Sequence, residues 1–212
     1  MAIKHPLNIV RGKTTQLVIR WETTPVVSKA ITAISLATGF PRLTVPSHGI
    51  PNGWRGYVVG VQGMKQINAA NNPPRSSDMR EVTVIDANTV ELNGLIPVDD
   101  SGREWPAYTS GGFLQYNTPK SLSGATVRVK IKDRVGGTVL LSTEAGDAPL
   151  NMITATADDA NKTITIENDA TTTEDLTWDK GVWEVEVESS TGVVESVIAP
   201  SPVTVGDEVV TP

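Results

Sequence analysis

The clearest pattern in the chain is a strict alternation of apolar and charged residues in two segments of opposite charge. Residues 126–132 read TVRVKIK, and residues 182–188 read VWEVEVE. Successive side chains of a β-strand point to opposite faces of the sheet, so each segment is predicted to be a strand with one buried and one hydrated face. If the strands are neighbours, each cross-strand ion pair contributes about 0.2–1 kcal/mol. The expected pairs join Arg128, Lys130 and Lys132 to Glu184, Glu186 and Glu188.

Shorter alternations of the same kind recur along the chain. Residues 14–21 place Leu17, Ile19 and Trp21 on one face, and Pro25 ends this strand because proline cannot donate a ladder hydrogen bond. Strands are also predicted at 80–85, 89–93, 125–132, 137–142, 150–156, 162–167, 182–188 and 193–198. Their spacing of roughly 8–12 residues, with Gly, Asp or Asn turns, is typical of sandwiches. The predicted fold class is all-β, an antiparallel immunoglobulin-like β-sandwich.

Composition changes this picture in one respect, because the chain of 212 residues contains no cysteine. Disulfides and thiolate metal sites are therefore excluded, and folding in a reducing cytoplasm is expected. The first residues lack the apolar run of a signal peptide, and no stretch approaches the ~20 apolar residues that cross a bilayer. We expect synthesis in a cytoplasm and no membrane partner.

The net charge of −6 hides a strong asymmetry along the chain. Residues 1–143 carry 16 Lys and Arg against 9 Asp and Glu, whereas residues 144–212 carry 2 against 15. Two interpretations stay open: copies of the molecule attract one another in a ring or stack, or basic and acidic strands pair inside one body. An acidic total without a basic run argues against a nucleic-acid-binding surface, so no sequence-specific nucleic acid partner is expected.

Motifs at both ends of the chain resemble one known domain. They are RGKTTQLVIRW at residues 11–21, LSGATVRVKIKD at 122–133, ITI at 164–166 and GVWEVEV at 181–187. Together they resemble the N-terminal β-sandwich of bacteriophage tail and baseplate upper proteins, which attaches receptor-binding fibres to the virion. The resemblance implies a discontinuous sandwich over residues 1–29 and 119–199, followed by a C-terminal arm over 200–212.

The interrupting segment carries a second resemblance. VPSHGIPNG at residues 45–53 and VTVIDANTVELNG at 82–94 are similar to a small β-barrel repeat common in phage tail proteins. That repeat is distantly similar to a barrel domain of ubiquitin-activating enzymes. The resemblance implies an inserted small β domain over residues 30–118, and neither family brings catalytic residues with it.

The function implied by these resemblances is that of a structural virion protein of a bacteriophage. We expect a tail, collar or baseplate component that forms a ring or trimer, anchors tail fibres or receptor-binding proteins, and contacts other tail or collar proteins. Its expected location is the virion, after synthesis in the host cytoplasm. Two alternatives stay open: a head decoration (cement) protein, and a carbohydrate-binding module for host-surface glycans.

The sequence offers little for catalysis. His5 and His48 are the only histidines, too few for a zinc site without thiols. Residues 99–104 miss the spacing of an EF-hand loop, and no Gly-x-Ser-x-Gly elbow occurs. We therefore expect no enzymatic activity, metal or cofactor.

Aromatic and arginine residues in the interrupting segment are the residue types that anchor protein interfaces. The alternative for the tryptophans is that they form the core of a small barrel. The candidate partner-contact residues are Trp54, Arg55, Tyr57, Arg75, Trp105 and Tyr108.

Overall fold

The computed structural model describes residues 3–36, 39–99, 101–147 and 153–207, and in these ranges the chain is all-β. The strands are β1 Leu7–Val10, β2 Thr15–Arg20, β3 Glu22–Ala30, β4 Ala33–Ser35, β5 Arg42–Thr44, β6 Trp54–Gln62, β7 Arg80–Asp86, β8 Thr89–Leu92, β9 Ser110–Pro119, β10 Thr126–Lys132, β11 Val139–Ser142, β12 Thr154–Asp158, β13 Thr163–Asn168, β14 Lys180–Glu188 and β15 Val194–Gly206. The helices are α1 at Ala170–Glu174 and 3₁₀ turns at Lys65–Ile67 and Ser76–Asp78. Among these residues, every helix is too short to reach across a lipid bilayer.

The chain divides into two compact units. The first unit is Met1–Trp21 with Ser121–Pro212, and the second is Glu22–Lys120. The boundary falls at Trp21 rather than at residue 29, because β3 pairs along its length with β9, as in the pair Val27 and Tyr116. The sequence did not locate this boundary, because only Trp21 separates β2 from β3. Pro25, which was expected to end the strand at 14–21, lies within β3, where the pairing with β9 shifts register between Thr23 and Val26.

The first unit contains two sheets around one hydrophobic core. One sheet has the order β1-β15-β14-β10-β11 and the other the order β12-β13-β2. The inward side chains of both belong to a single buried cluster, in which Ile131 and Trp183 come from the first sheet and Ile164 from the second. The two sheets therefore pack through a shared core that neither could bury alone.

Strands β10 and β14 are antiparallel neighbours, an arrangement that the alternation allowed but left open. Arg128 lies opposite Glu186, and Lys130 lies opposite Glu184. The third expected pair does not form, because the charged positions of the two strands are offset by two residues and Lys132 lies opposite Val182. The basic and acidic segments thus pair inside one body, which was one of the two interpretations of the charge asymmetry.

The C-terminal segment differs from the sequence expectation of an arm over 200–212. Strand β15 continues to Gly206 and is paired on both sides, antiparallel with β14 and parallel with β1. Pro200 and Pro202 suggested an end to the strand, but the β14–β15 register shifts between Trp183 and Val185, and this irregularity accommodates the proline-containing stretch. Residues 208–212 lie outside the described part of the chain, as do residues 150–152 of the strand predicted at 150–156; the strand described there is β12, Thr154–Asp158.

The second unit is a single seven-stranded sheet with the order β3-β9-β6-β7-β8-β5-β4. Its two outermost strands, β3 and β4, are consecutive in the chain. The Ile31 N–H donates to the Gly112 carbonyl in β9, and the Thr32 N–H donates to the Thr44 carbonyl in β5. Residues 31 and 32 therefore connect the two edge strands of the sheet, and the unit has a buried cluster of its own.

Candidate functional site

Trp54 is a core residue of the second unit and not a surface anchor. Its side chain is 1% exposed, and its indole Nε1–H donates to the Asn117 carbonyl at 3.1 Å. It begins β6 on the inward side, two residues before Gly56 and four before Val58. The expectation that Trp54 contacts a partner is therefore wrong for the folded chain, because alternation along β6 turns its ring into the core.

Arg55 and Tyr57 point to the opposite, outer side of β6, where they join residues of β9. Tyr57 lies opposite Gln115, and Val59 lies opposite Phe113. Phe113 is 46% exposed, and sequence reasoning missed it because a phenylalanine in an alternating strand is ordinarily assigned to the core. We call this surface the β6–β9 face, defined by Arg55, Tyr57, Val59, Phe113 and Gln115.

Arg55 is held in place on the β6–β9 face by its neighbours. Its guanidinium Nη2 lies 3.3 Å from a carboxylate oxygen of Glu22 in β3, and the same oxygen accepts a hydrogen bond from the Asn117 side chain at 3.0 Å. The face thus presents an oriented arginine beside aromatic and aliphatic side chains, a combination common at protein interfaces.

The other three candidate residues lie elsewhere in the second unit. Arg75 is exposed before a 3₁₀ turn, and its N–H donates to the Asp78 carboxylate at 2.7 Å, which is the main cause of the lowered pKa of Asp78. Trp105 and Tyr108 pack partly buried against the core, and the Tyr108 hydroxyl donates to the carbonyl of Ile31 or Gly111. Within the described ranges, no hydrogen bond or ion pair joins these three to Arg55 or Tyr57.

His48 has a structural role in the second unit. Its ring is 3% exposed; Nδ1 accepts the Ile50 N–H at 3.1 Å, so Nε2 carries the proton and donates to the Asp86 carbonyl at 2.8 Å. The Tyr116 hydroxyl donates to the His48 carbonyl, and burial raises the pKa of Tyr116. These bonds fix the turn that begins the second resemblance motif.

Arg11, the first residue of the motif at residues 11–21, also makes structural hydrogen bonds, as His48 does in the second unit. Its Nε donates to the Leu176 carbonyl at 2.7 Å and its Nη2 to the Trp178 carbonyl at 3.1 Å, while Asp179 and Asp207 pair with the guanidinium. One arginine thereby fastens the end of β1 to the segment before β14 and to the end of β15. Arg11 therefore has a structural role in this motif.

The hydrated face of the five-stranded sheet forms a groove of about 370 Å³. Cations from β10 and its following turn line one side and carboxylates from β14 line the other. We call it the charged groove; it is lined by Arg128, Lys130, Lys132, Arg134, Val135, Glu144, Val182, Glu184, Glu186 and Pro200, among others.

The two basic residues in the middle of β10 are neutralised by neighbours other than their opposite partners. Arg128 pairs with Glu188 and, through Nε, with Glu144 at 3.1 Å. Lys130 pairs with Glu144 and with Asp147 at 3.0 Å, and these bonds raise the pKa of Lys130, chiefly through Glu144. The pairs hold the stretch after β11 against the sheet.

Other charges of the groove lie outside these ion pairs, although Lys132 also interacts electrostatically with Asp147, and Glu184 and Glu186 lie opposite Lys130 and Arg128. Glu184 accepts only a hydroxyl hydrogen bond, from Ser196 at 3.4 Å. In the part of the chain that the structure describes, Glu184, Glu186 and Lys132 take part in no ion pair. Both signs of charge are therefore available at this surface to a molecule that approaches it.

The described residues contain no group of three or more His, Asp or Glu side chains placed to hold a metal ion. Comparison of the chain with models of known protein families gives no match, and comparison with curated proteins gives none either.

Proposed function

We propose that the protein is a structural component of a bacteriophage virion, in the tail, collar or baseplate, that oligomerises and anchors tail fibres or receptor-binding proteins. One observation carries the proposal: the chain leaves the first unit after Trp21 and returns to it at Ser121. This interruption agrees with the two resemblances, one borne by the ends of the chain and the other by its middle.

The contacts of β2 support this step most directly. Strand β2 pairs with β13 over six residues, from Thr15 opposite Asn168 to Arg20 opposite Thr163. Leu17 and Ile19 pack against the same cluster that contains Trp183. The segments that carry the first resemblance thus share one core, as a single interrupted domain requires.

We also propose a fold family for each of the two units. We assign the first unit to the immunoglobulin-like β-sandwiches, because five and three strands face one another across a shared core. We assign the second unit to small β-barrels, because its edge strands β3 and β4 are continuous in the chain.

The structure bears on one of the two alternatives, the carbohydrate-binding module. A carbohydrate-binding module needs exposed rings for stacking, but Trp54 is buried and Trp105 and Tyr108 pack against the core. Their placement favours an assembly role over glycan recognition. A head decoration protein would use the same fold, so only its position on a particle distinguishes it from a tail component.

The test is antibody labelling in electron microscopy of particles produced from the genome that encodes the chain. Label at the tail, collar or baseplate supports the proposal. Label over the head surface replaces it with the decoration role, and particles that carry no label overturn both. A glycan array with the purified protein is the matched test of the carbohydrate-binding alternative.

A further inference from the structure

We propose that β2 is the sheet edge through which two copies of this chain bind each other, strand against strand and antiparallel. This contact deepens the proposed function, on which it rests, because it names a surface for the self-association proposed there. Strand β2 is the last strand of the order β12-β13-β2, and among the strands that the structure describes only β13 pairs with it.

Strand β2 lacks the features that protect most sheet edges from pairing with another chain. Natural edges are usually short, or they carry proline, charge or a bulge. Strand β2 has six residues, TQLVIR, in an unbroken register with β13, and its one charge stands at its end. The other edge strands described in the first unit are β1 and β11, with four residues each, and β12, with five residues that end in an aspartate. The edge of β2 is therefore the longest of these.

The backbone groups of β2 alternate between its paired side and its open side. The Trp21 N–H donates to the Lys162 carbonyl at 2.8 Å, so the hydrogen-bonded pairs with β13 fall on the odd-numbered residues of β2. The N–H and C=O groups of Gln16 and Val18 point to the open side. An antiparallel strand placed there can bond to them in the ordinary ladder pattern.

The faces of the sheet restrict the register that a second copy can adopt. Outward residues of one copy must lie opposite outward residues of the other, because a slip by one residue would turn every side chain to the wrong face. The register that pairs residues 16–20 with one another is centred on Val18, which then lies opposite Val18 of the second copy. Gln16 lies opposite Arg20, so no two like charges are directly opposed. This pair has two-fold symmetry and closes with two copies, so a larger ring would be built from such pairs.

Apolar side chains of β2 become covered in this register. Val18 is 55% exposed on the outer face, and it meets its own copy there. Leu17 and Ile19 face the core but are only partly buried, whereas Ile164 and Ile166 of the neighbouring β13 are 0% and 3% exposed. Burial therefore decreases toward the edge, and the second copy places Ile19 opposite Leu17 and covers both. The removal of this apolar surface from water favours the pair over the hydrated edge.

Cysteine pairing tests the register, because the chain contains no cysteine of its own. Val18→Cys places two thiols beside the two-fold axis, with about 5.5 Å between Cα atoms, which suits a disulfide. Gln16→Cys places them about 14 Å apart along the strands, too far to join. Gln16→Cys mixed with Arg20→Cys places them directly opposite each other.

Non-reducing gel electrophoresis, after oxidation of the full-length variants by dissolved oxygen, measures the covalent dimer. We expect fast dimer formation by Val18→Cys, and by the mixture of Gln16→Cys with Arg20→Cys. Gln16→Cys alone is expected to form dimer only at the rate of random collision. The control for that rate is Val193→Cys, since Val193 is 56% exposed and lies outside β2.

Sedimentation velocity measures the association without a cross-link. Val18→Lys keeps the alternation of β2, so the fold should be retained, but it sets two ammonium groups against each other beside the axis. Val193→Lys makes the same change at a valine of similar exposure. We expect Val18→Lys to raise the dissociation constant about tenfold or more and Val193→Lys to behave as wild type. Circular dichroism verifies that each variant is folded.

Three results overturn this contact, and they bear differently on the proposed function. Self-association that Val18→Lys leaves unchanged places the contact on another surface and leaves the proposed function standing. Gln16→Cys that forms dimer as fast as Val18→Cys contradicts the register centred on Val18. A wild-type chain that stays monomeric at high concentration, with Val18→Cys no faster than Val193→Cys, removes both this contact and self-assembly from the proposed function.

Discussion

The outer faces of the two units follow the same alternation but carry different chemistry. On β10 and β14 of the first unit most outward residues are charged, whereas the β6–β9 face of the second unit presents Tyr57, Val59 and Phe113. The first unit carries 10 Lys and Arg against 16 Asp and Glu, and the second carries 8 against 8. Alternation therefore determines the fold of both units, while the outward residues determine what each surface offers to a partner.

The largest effects are expected at the most deeply buried tryptophan of each core. Trp183 is 0% exposed, and its Nε1–H donates to the His5 carbonyl; Trp54 is buried to a similar degree in the second unit. Trp183→Ala or Trp54→Ala should each lower the free energy of unfolding by about 3–5 kcal/mol, through lost burial and a cavity. Denaturant unfolding measures the loss, and hydrogen exchange identifies the unit that is destabilised.

The outward neighbours on the same strands are the controls. Glu184→Ala and Tyr57→Ala should each change stability by about 1 kcal/mol or less, since neither side chain is in a core. A Trp183→Ala protein as stable as Glu184→Ala would contradict the assignment of the inward face.

The next largest effect is expected at a glycine in the second unit. Gly63 has φ +82°, and a Cβ there would lie 2.2 Å from the Ala107 carbonyl oxygen, whereas Gly53 has φ +70° and open space around it. Gly53→Ala should cost about 1 kcal/mol for the left-handed conformation alone, and Gly63→Ala about 1–3 kcal/mol more, because backbone must move. Thermal unfolding of the two variants compares them directly, and equal losses would contradict the close approach.

Acidification should lower the stability of the two units unequally, and this difference should be smaller than the effects of the substitutions above. Among the described residues, hydrogen bonds in the fold lower the pKa of four aspartates in the first unit and of two in the second: Asp147, Asp158, Asp159 and Asp169, and Asp78 and Asp86. A lowered pKa stabilises the fold above the unfolded value of about 4, and this contribution disappears as pH falls through the folded value. As pH falls from 5 to below the folded pKa values, the free energy of unfolding of the first unit should therefore decrease more than that of the second. The difference should correspond to the contribution of about two such aspartates.

Hydrogen exchange resolved by residue, measured at several pH values, checks this difference. The Asp159→Asn variant removes the charge that Lys162 and the Leu122 N–H stabilise. It should therefore reduce the difference in acid sensitivity between the two units. Equal acid sensitivity of the two units in the wild-type protein would be the contrary result.

The smallest effect is expected from the ion pairs of the charged groove within one copy. Glu144→Gln weakens the pairs with Arg128 and Lys130, whose side chains are each about one-third exposed. Such pairs contribute about 0–1 kcal/mol and less at high salt. Chemical unfolding at two salt concentrations should show this small loss at low salt and almost none at high salt.

The sequence predicted best where alternation is strict. In β10 and β14 the apolar positions can face only one side, so strand type and buried face followed from the pattern, while the pairing and its register did not. The sequence prediction failed at β15, because proline usually ends a strand and this strand contains Pro200 and Pro202. The register shift that accommodates them leaves no signal in the sequence. It also failed at the unit boundary, where β2 and β3 are nearly continuous.

The candidate contact residues show a different limit. Residue type suggested Trp54, Arg55 and Tyr57 together, but their positions in β6 send Trp54 inward and the other two outward. Phe113 joined that outer face only through its pairing with Val59, a contact between strands far apart in the chain. Composition identifies the residues that favour interfaces, while the register decides which of them reach the surface.

Native-state hydrogen exchange of the amides in β2 tests the interrupted first unit most directly. If residues 15–20 belong to the core completed after residue 120, their amides should exchange together with those of β13 and β14, at the same denaturant concentration. Two results would contradict the interrupted domain: amides of β2 that show no protection from exchange, or amides of β2 that exchange only together with those of β3 and β9. Either result would remove the main support for a virion role.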